Sequence, residues 1–155
     1  MAAHMRTQIR DAVVDLLIGA AITAKRVYPT RRTPLGAESL PAVLVYTMSE
    51  DSQPETLSSP RWLSRDLELM VEAVAQDNAA IDDTLDALAQ KIEAAMGGAL
   101  ANVAGPLRQM VRGGDLARTQ IGLRPGNPDE KGTGHIVLTY RLNYRTRSDN
   151  PTTNT

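Results

Sequence analysis

Asp82, Asp83 and Asp86 are the first residues whose types and spacing could do chemistry. Asp82 and Asp86 stand four apart, which on a helix puts both carboxylates on one face and could hold a hard cation. A second account is stronger. Acids in the first turn of a helix complement its dipole and solvate its outer face. Histidine offers less: His4 sits in a suspect leader and His135 opens the last strand. With no motif around the serine-rich loops, a Ser/His/Asp site has nothing to rest on, and His135 reads as structural or surface. Gly113-Gly114 and Gly132-Thr133-Gly134 lack both phosphate-loop spacings and the Lys-Ser/Thr that follows one of them, so they read as turns. Cysteine is absent, which removes disulfides, thiolate metal sites and thiol nucleophiles. No catalytic, cofactor-binding or metal-binding residues are expected, and no cofactor.

Charge layout says more. Lys25, Arg26, Arg31 and Arg32 form one basic segment; Arg141, Arg145 and Arg147 form another. Acids gather at Glu50, Asp51 and Glu55, at Asp66, Glu68 and Glu72, and along the second helix. Segregated signs at a net charge of -1 suit contact between identical subunits, where unlike patches meet and a ring can close. Scattered solvated charge is the equal alternative. Trp62, between Arg61 and the strand that follows, is an interface anchor or a core-edge residue. The expected subunit interface is therefore Arg31, Arg32, Glu50, Asp51, Arg61 and Trp62.

The near-zero net charge gives no bulk attraction to nucleic acid or an anionic membrane. Aromatic residues at 3%, with no Phe, leave few faces for stacking bases. No apolar run approaches the ~18 residues of a membrane span, so no membrane partner is expected. At 155 residues with 42% hydrophobic content, the chain suits one globular domain, expected over residues 6–147. Residues 1–5 read as a leader or vector scar before a start at Met5. Residues 148–155 read as a polar tail with no reason to fold alone.

The elements that must position these residues follow from periodicity. Ile9, Val13, Leu16 and Leu17 share a helical face, with Gly19 as a stop. A short strand spans 24–28, and a loop with Pro34 and Gly36 follows from Thr30 to Leu40. Residues 42–46 form an apolar interior strand, and Ser49 to Pro60 a second polar loop. From Leu63 to Gln76, apolar residues alternate with polar ones, and only Arg65 breaks the apolar set. Fourteen extended residues reach roughly 46 Å, whereas a domain of this size is roughly 40 Å across. The strand must bend at a bulge or overhang, and an overhanging hairpin is a ready contact for a neighbour. Asp77 or Asn78 can cap the next helix, whose buried stripe is Ile81, Leu85, Leu88, Ile92 and Met96, and which Gly97-Gly98 ends. After Pro106 a short helix is possible. Strands at 115–123 and 136–145 flank a long hairpin loop from Arg124 to Gly134. The order α-β-β-β-α-β-β gives a two-layer α+β fold: a mainly antiparallel sheet of about 4–5 strands with two principal helices.

In this order of segments the chain resembles siphophage tail terminator (minor tail, or tail completion) proteins. The resemblance runs over residues 6–146. It is carried by Arg6-Thr7-Gln8-Ile9-Arg10-Asp11-Ala12-Val13, then Arg26-Val27-Tyr28-Pro29 and Leu40-Pro41-Ala42-Val43-Leu44-Val45-Tyr46. Leu67-Glu68-Leu69-Met70-Val71-Glu72-Ala73 and Asp82-Asp83-Thr84-Leu85-Asp86-Ala87-Leu88-Ala89 follow, and Leu138-Thr139-Tyr140-Arg141-Leu142-Asn143-Tyr144-Arg145 closes it. The resemblance implies a non-enzymatic virion protein, assembled in the bacterial host cytoplasm and located at the tail–neck junction. It implies a homo-oligomer, hexameric in the family, with the tail tube protein and a neck or head-completion protein as partners. DNA would pass through the lumen without being read. A head–tail connector or neck protein of the same particle shares this size, charge and build, and is the alternative.

Overall fold

A computed structural model describes residues 2–31, 39–76, 78–126 and 131–155. Arg32 and the interior of the first loop, Asp77, and residues 127–130 of the hairpin loop lie outside them. The chain runs α1 (Met5–Gly19), β1 (Val27–Tyr28), β2 (Ala42–Pro54), β3 (Trp62–Gln76), α2 (Ile81–Ala101), α3 (Pro106–Met110), β4 (Gly113–Arg124) and β5 (Thr133–Arg147). Five strands make one sheet in the order β1-β2-β3-β5-β4. β1 and β2 pair in parallel, and the β2–β3, β3–β5 and β5–β4 pairs are antiparallel.

The alternation read from β3 is the axis of this sheet. Leu67, Leu69, Val71, Ala73 and Ala75 are buried on one face. Directly across on β5, Leu142, Tyr140, Leu138 and Ile136 sit opposite the first four and are buried with them. The three helices cover this face. From α1 come Met5, Ile9, Val13 and Leu17, and from α2 Ile81, Leu85, Leu88, Ile92 and Met96, all in one apolar cluster. Gly134 lets α2 come this close: a Cβ there would stand 2.5 Å from the Ile81 side chain and 3.1 Å from that of Leu85. The opposite, open face is polar along much of β3 and β5, with Glu68 and Arg141 on it, while Ala42, Leu44, Val74 and Thr139 on that face are buried.

Four local expectations need correction. First, β2 does not stop at Tyr46 but continues through half of the expected Ser49–Pro60 loop to Pro54. Its polar end is held by backbone pairing with β3, from Ser49 opposite Glu68 to Pro54 opposite Leu63, which needs no apolar side chains. Second, α2 runs through Gly97-Gly98 to Ala101. Each glycine costs the helix about 1 kcal/mol relative to alanine, but Ala95, Ala99 and Leu100 pack against the core on either side. Third, the strand at 24–28 shrinks to Val27–Tyr28, because Ala21 and Ala24 take left-handed backbone angles (φ 54° and 53°). Fourth, the α2 cap is Ala80, whose N–H donates to Asn78 Oδ1 at 2.9 Å.

Both chain ends join the packing. His4 caps α1, its Nδ1 accepting from Arg6 N at 3.1 Å, and Met5 is 3% exposed. The expected leader thus gives its last residue to the core. Beyond Arg147 the chain turns back instead of hanging free. Met5 N donates to Pro151 O (2.9 Å), Gln8 Nε2 to Thr152 O (2.8 Å) and Asn154 Nδ2 to Gln109 O (2.8 Å).

Candidate assembly interface

Glu50, expected at an interface, faces the interior. An extra residue at Met48 shifts the β2–β3 register between Thr47 and Ser49. After this bulge, Glu50 lies on the helix-covered side, opposite Leu67. Its side chain is 7% exposed. Arg65 Nη1 donates to Glu50 Oε1 at 2.8 Å, Arg6 Nη1 to Oε2 at 3.2 Å, and the Tyr144 hydroxyl to Oε2 at 2.8 Å. Arg65 Nε also donates to Thr146 Oγ1 at 2.8 Å. Burial pushes the Glu50 carboxyl up, but the hydrogen bonds from Arg65, Tyr144 and Arg6 outweigh it and hold the group below the usual carboxylate value. Burial, then the bond to Glu50, raises the Tyr144 hydroxyl. This cluster ties α1, β2, β3 and β5 together. It is a structural clamp that the sequence reading missed. Arg65 was the available signal, because a cation in an otherwise apolar row needs a buried acceptor.

Of the remaining expected interface residues, Asp51, Arg61 and Trp62 lie toward one end of the sheet and Arg31 beside the middle of β2. Past the bulge, residues 51–55 and 57–61 are exposed, so β2 and β3 end in an arm. Leu57, near its tip, is 97% exposed. Asp51 is exposed on the open face of β2 and pairs with no cation among the described residues. Arg61 is exposed, and its backbone exchanges hydrogen bonds with Ser148, fixing the arm's return. Trp62 is half-buried beneath Arg145, whose guanidinium carbon lies 4.3 Å from the ring centroid. Arg31 is exposed, lies over the Tyr46 ring at 5.7 Å and donates to Thr47 O. Arg32 lies outside the described residues.

Folding also mixes the charges that the sequence keeps apart. Arg141 meets Glu68 across the open face at 3.7 Å. Arg112 grips Glu55 through both terminal guanidinium nitrogens, which holds the Glu55 carboxyl below its usual value and staples the arm to the start of β4. Asp51 is therefore the member of the Glu50–Asp51–Glu55 group left without a partner among the described residues.

The helical layer carries one sizeable groove, about 780 Å³, between α1, the end of α2 and α3. It is lined mainly by small and apolar side chains such as Ala12, Leu16, Ala99 and Leu107, with Asp11 and Asp15 at its rim. Asp82, Asp83 and Asp86 are exposed on α2. Among the described residues, no three His, Asp or Glu side chains gather to hold a metal ion, and no helix is long and apolar enough to cross a membrane.

Sequence comparison decides what kind of molecule this is. The family described as phage minor tail protein U matches residues 4–114, from the α1 cap through the first residues of β4. The chain belongs to that family. It is thus a minor tail protein of a phage-type virion, with a structural role and no enzymatic one. In fold, this minor tail protein is similar to a chain of the virion of a native gene transfer agent particle. The TM-score is 0.52 at 18% identity, covering 88% of this chain and 94% of that one. No curated protein matches its sequence.

Proposed function

We propose that this minor tail protein forms the ring that closes the finished tail tube, stops further polymerisation and offers the head-side surface on which the neck docks. The observation that carries this reading is the arm at the end of β2 and β3. A domain whose core is complete nevertheless extends a paired strand end beyond it, with Leu57 97% exposed at the tip. A large apolar side chain held away from its own core gains stability only when another molecule covers it.

A growing tube offers the same surface at every layer. A terminator must match that surface on one side and present a different one on the other. The arm, with Leu57 and Arg61, supplies the matching side. The ring would be a closed homo-oligomer, hexameric as in the resembled family, through whose lumen DNA passes unread. Its position would be the tail–neck junction, reached after assembly in the host cytoplasm.

The test is tube growth in vitro. Tail tube protein polymerising in the presence of the purified chain should give short tubes bearing extra density at one end. The variant Leu57→Asp, altered at an exposed site, should leave the fold intact and let tubes grow on. Unchanged tube length with wild-type protein and bare tube ends would refute the proposal.

A further inference from the structure

Two strand edges of this sheet have no partner among the described residues. β4 is the last strand on one side, and its outer edge is free for all twelve residues, Gly113 to Arg124. On the other side, β1 covers β2 only at Val43 and Leu44. Arg31 then occupies Thr47 O, and from Met48 onward the outer edge of β2 is open. Long unpaired edges normally carry proline, lysine or an inward charge as protection against pairing. β4 has no proline and no lysine, and it exposes Leu116, Ile121 and Leu123 (38%, 56% and 53%).

We propose that the free edge of β4 in one copy pairs with the free edge of β2 in the next copy, so that neighbouring subunits share a continuous sheet. This rests on the ring reading above and names the surface that closes the ring. Strand direction favours it. β2, β3, β5 and β4 are successively antiparallel. A second copy placed edge to edge in the same orientation therefore sets its β2 antiparallel to β4. The contact is heterologous, as a ring requires.

Side chains select the register. Arg118 lies opposite Thr139, and Thr139 opposite Met70, on the open face of the sheet. Asp51 lies on that same face, opposite Asp66. Arg118 and Asp51 are both exposed, and neither has a partner of opposite charge among the described residues. Setting Arg118 against Asp51 neutralises both. The same register places Gln120 against Ser49, and Ile121 against Met48, which is itself 51% exposed. One alignment thus pairs the free acid with a free base and covers two exposed apolar residues. Faces match at 118–120 and 49–51, with the Met48 bulge ending the ladder.

Because the chain has no cysteine, the register can be read by cross-linking. In the variant carrying both Ser49→Cys and Gln120→Cys, β3 and β5 separate the two positions within one chain. Three strand spacings amount to roughly 14 Å, twice the ~7 Å Cα limit for a disulfide, so a bond can form only between copies. Oxidation, with and without polymerised tube protein, should give a ladder of covalent multimers from the double variant. Either single variant should remain monomeric on the non-reducing gel. As a second arm, Arg118→Asp should shift assembly to higher protein concentration, and adding Asp51→Arg should restore it.

Dimers from Gln120→Cys alone would show two-fold β4–β4 pairing and overturn the proposal. A closed ring by light scattering with no ladder would overturn the shared sheet while leaving the ring reading standing. Absence of both ladder and ring, on the tube and off it, would remove both.

Discussion

Replacing Arg65 with methionine tests whether the Glu50 cluster holds the fold. The substitution keeps the length and apolar stem of the side chain but removes its charge. It leaves Glu50, 7% exposed, without the cation 2.8 Å from Oε1, and it leaves the fully buried Thr146 hydroxyl without its donor. Stranding one member of a buried pair costs about 3–5 kcal/mol. Arg6 and the Tyr144 hydroxyl remain on the carboxylate, but Arg6 is 41% exposed and screened. The lower end of that range, about 3 kcal/mol, is therefore expected. With a urea slope of roughly 2 kcal/mol/M, the midpoint should fall by roughly 1.5 M at fixed protein concentration. Glu50→Met combined with Arg65→Met should recover much of the loss, because no buried charge is then stranded. The pH dependence has a definite sign. Hydrogen bonds hold the folded Glu50 carboxyl below its usual 4.5, so its contribution is present above that value and lost as pH falls through the folded one. The gap between wild type and Glu50→Gln should accordingly narrow in acid. If Arg65→Met lay within about 0.5 kcal/mol of wild type, or the two substitutions were additive, the clamp would be ornamental and the reasoning wrong.

Other changes follow from the same geometry. Ile92→Ala removes a fully buried side chain at the α2–sheet boundary and should cost about 2–5 kcal/mol, read as a matching fall in the urea midpoint. Ala24→Gly should stabilise by up to about 1 kcal/mol, since Ala24 is exposed and holds a left-handed φ of 53° that glycine adopts without penalty. A melting temperature at or below wild type would count against that reading. Burial raises the Glu72 carboxyl, with His135 and Arg124 opposing. A raised folded value means that the ionised form destabilises the fold. Glu72→Gln should thus stabilise slightly at pH 8, by less than about 1 kcal/mol, and the gain should fade as pH falls through the folded value.

What the sequence shows and what it hides can be traced to particular residues. The β3 and β5 faces are legible because each strand has one buried side, and period-two alternation survives along its length. The α2 stripe is legible for the same reason at the helical period. Glu50 is hidden. Counting by twos from Val43 places Glu50 on the open face, and only the extra residue at Met48 turns it inward. A bulge leaves no hydrophobic signature, so a buried carboxylate looks like loop charge. The end of β2 is hidden because backbone pairing alone holds it, and the run of α2 past Gly97-Gly98 because the packing of Ala99 and Leu100 outweighs local propensity. The charge segregation on which the interface expectation leaned was a property of the linear sequence. Pairing β3 with β5 brings Glu68 to Arg141, and Glu55 is taken by Arg112, leaving Asp51 as the acid of its group with no cation partner among the described residues.

The central proposal, that this chain ends the tail tube, is tested most directly by electron micrographs of particles made without it. Tails of irregular and excessive length, still growing past their normal end, are the predicted result. Tails of normal length that merely lack heads would contradict the account and place the chain in the neck as a connector.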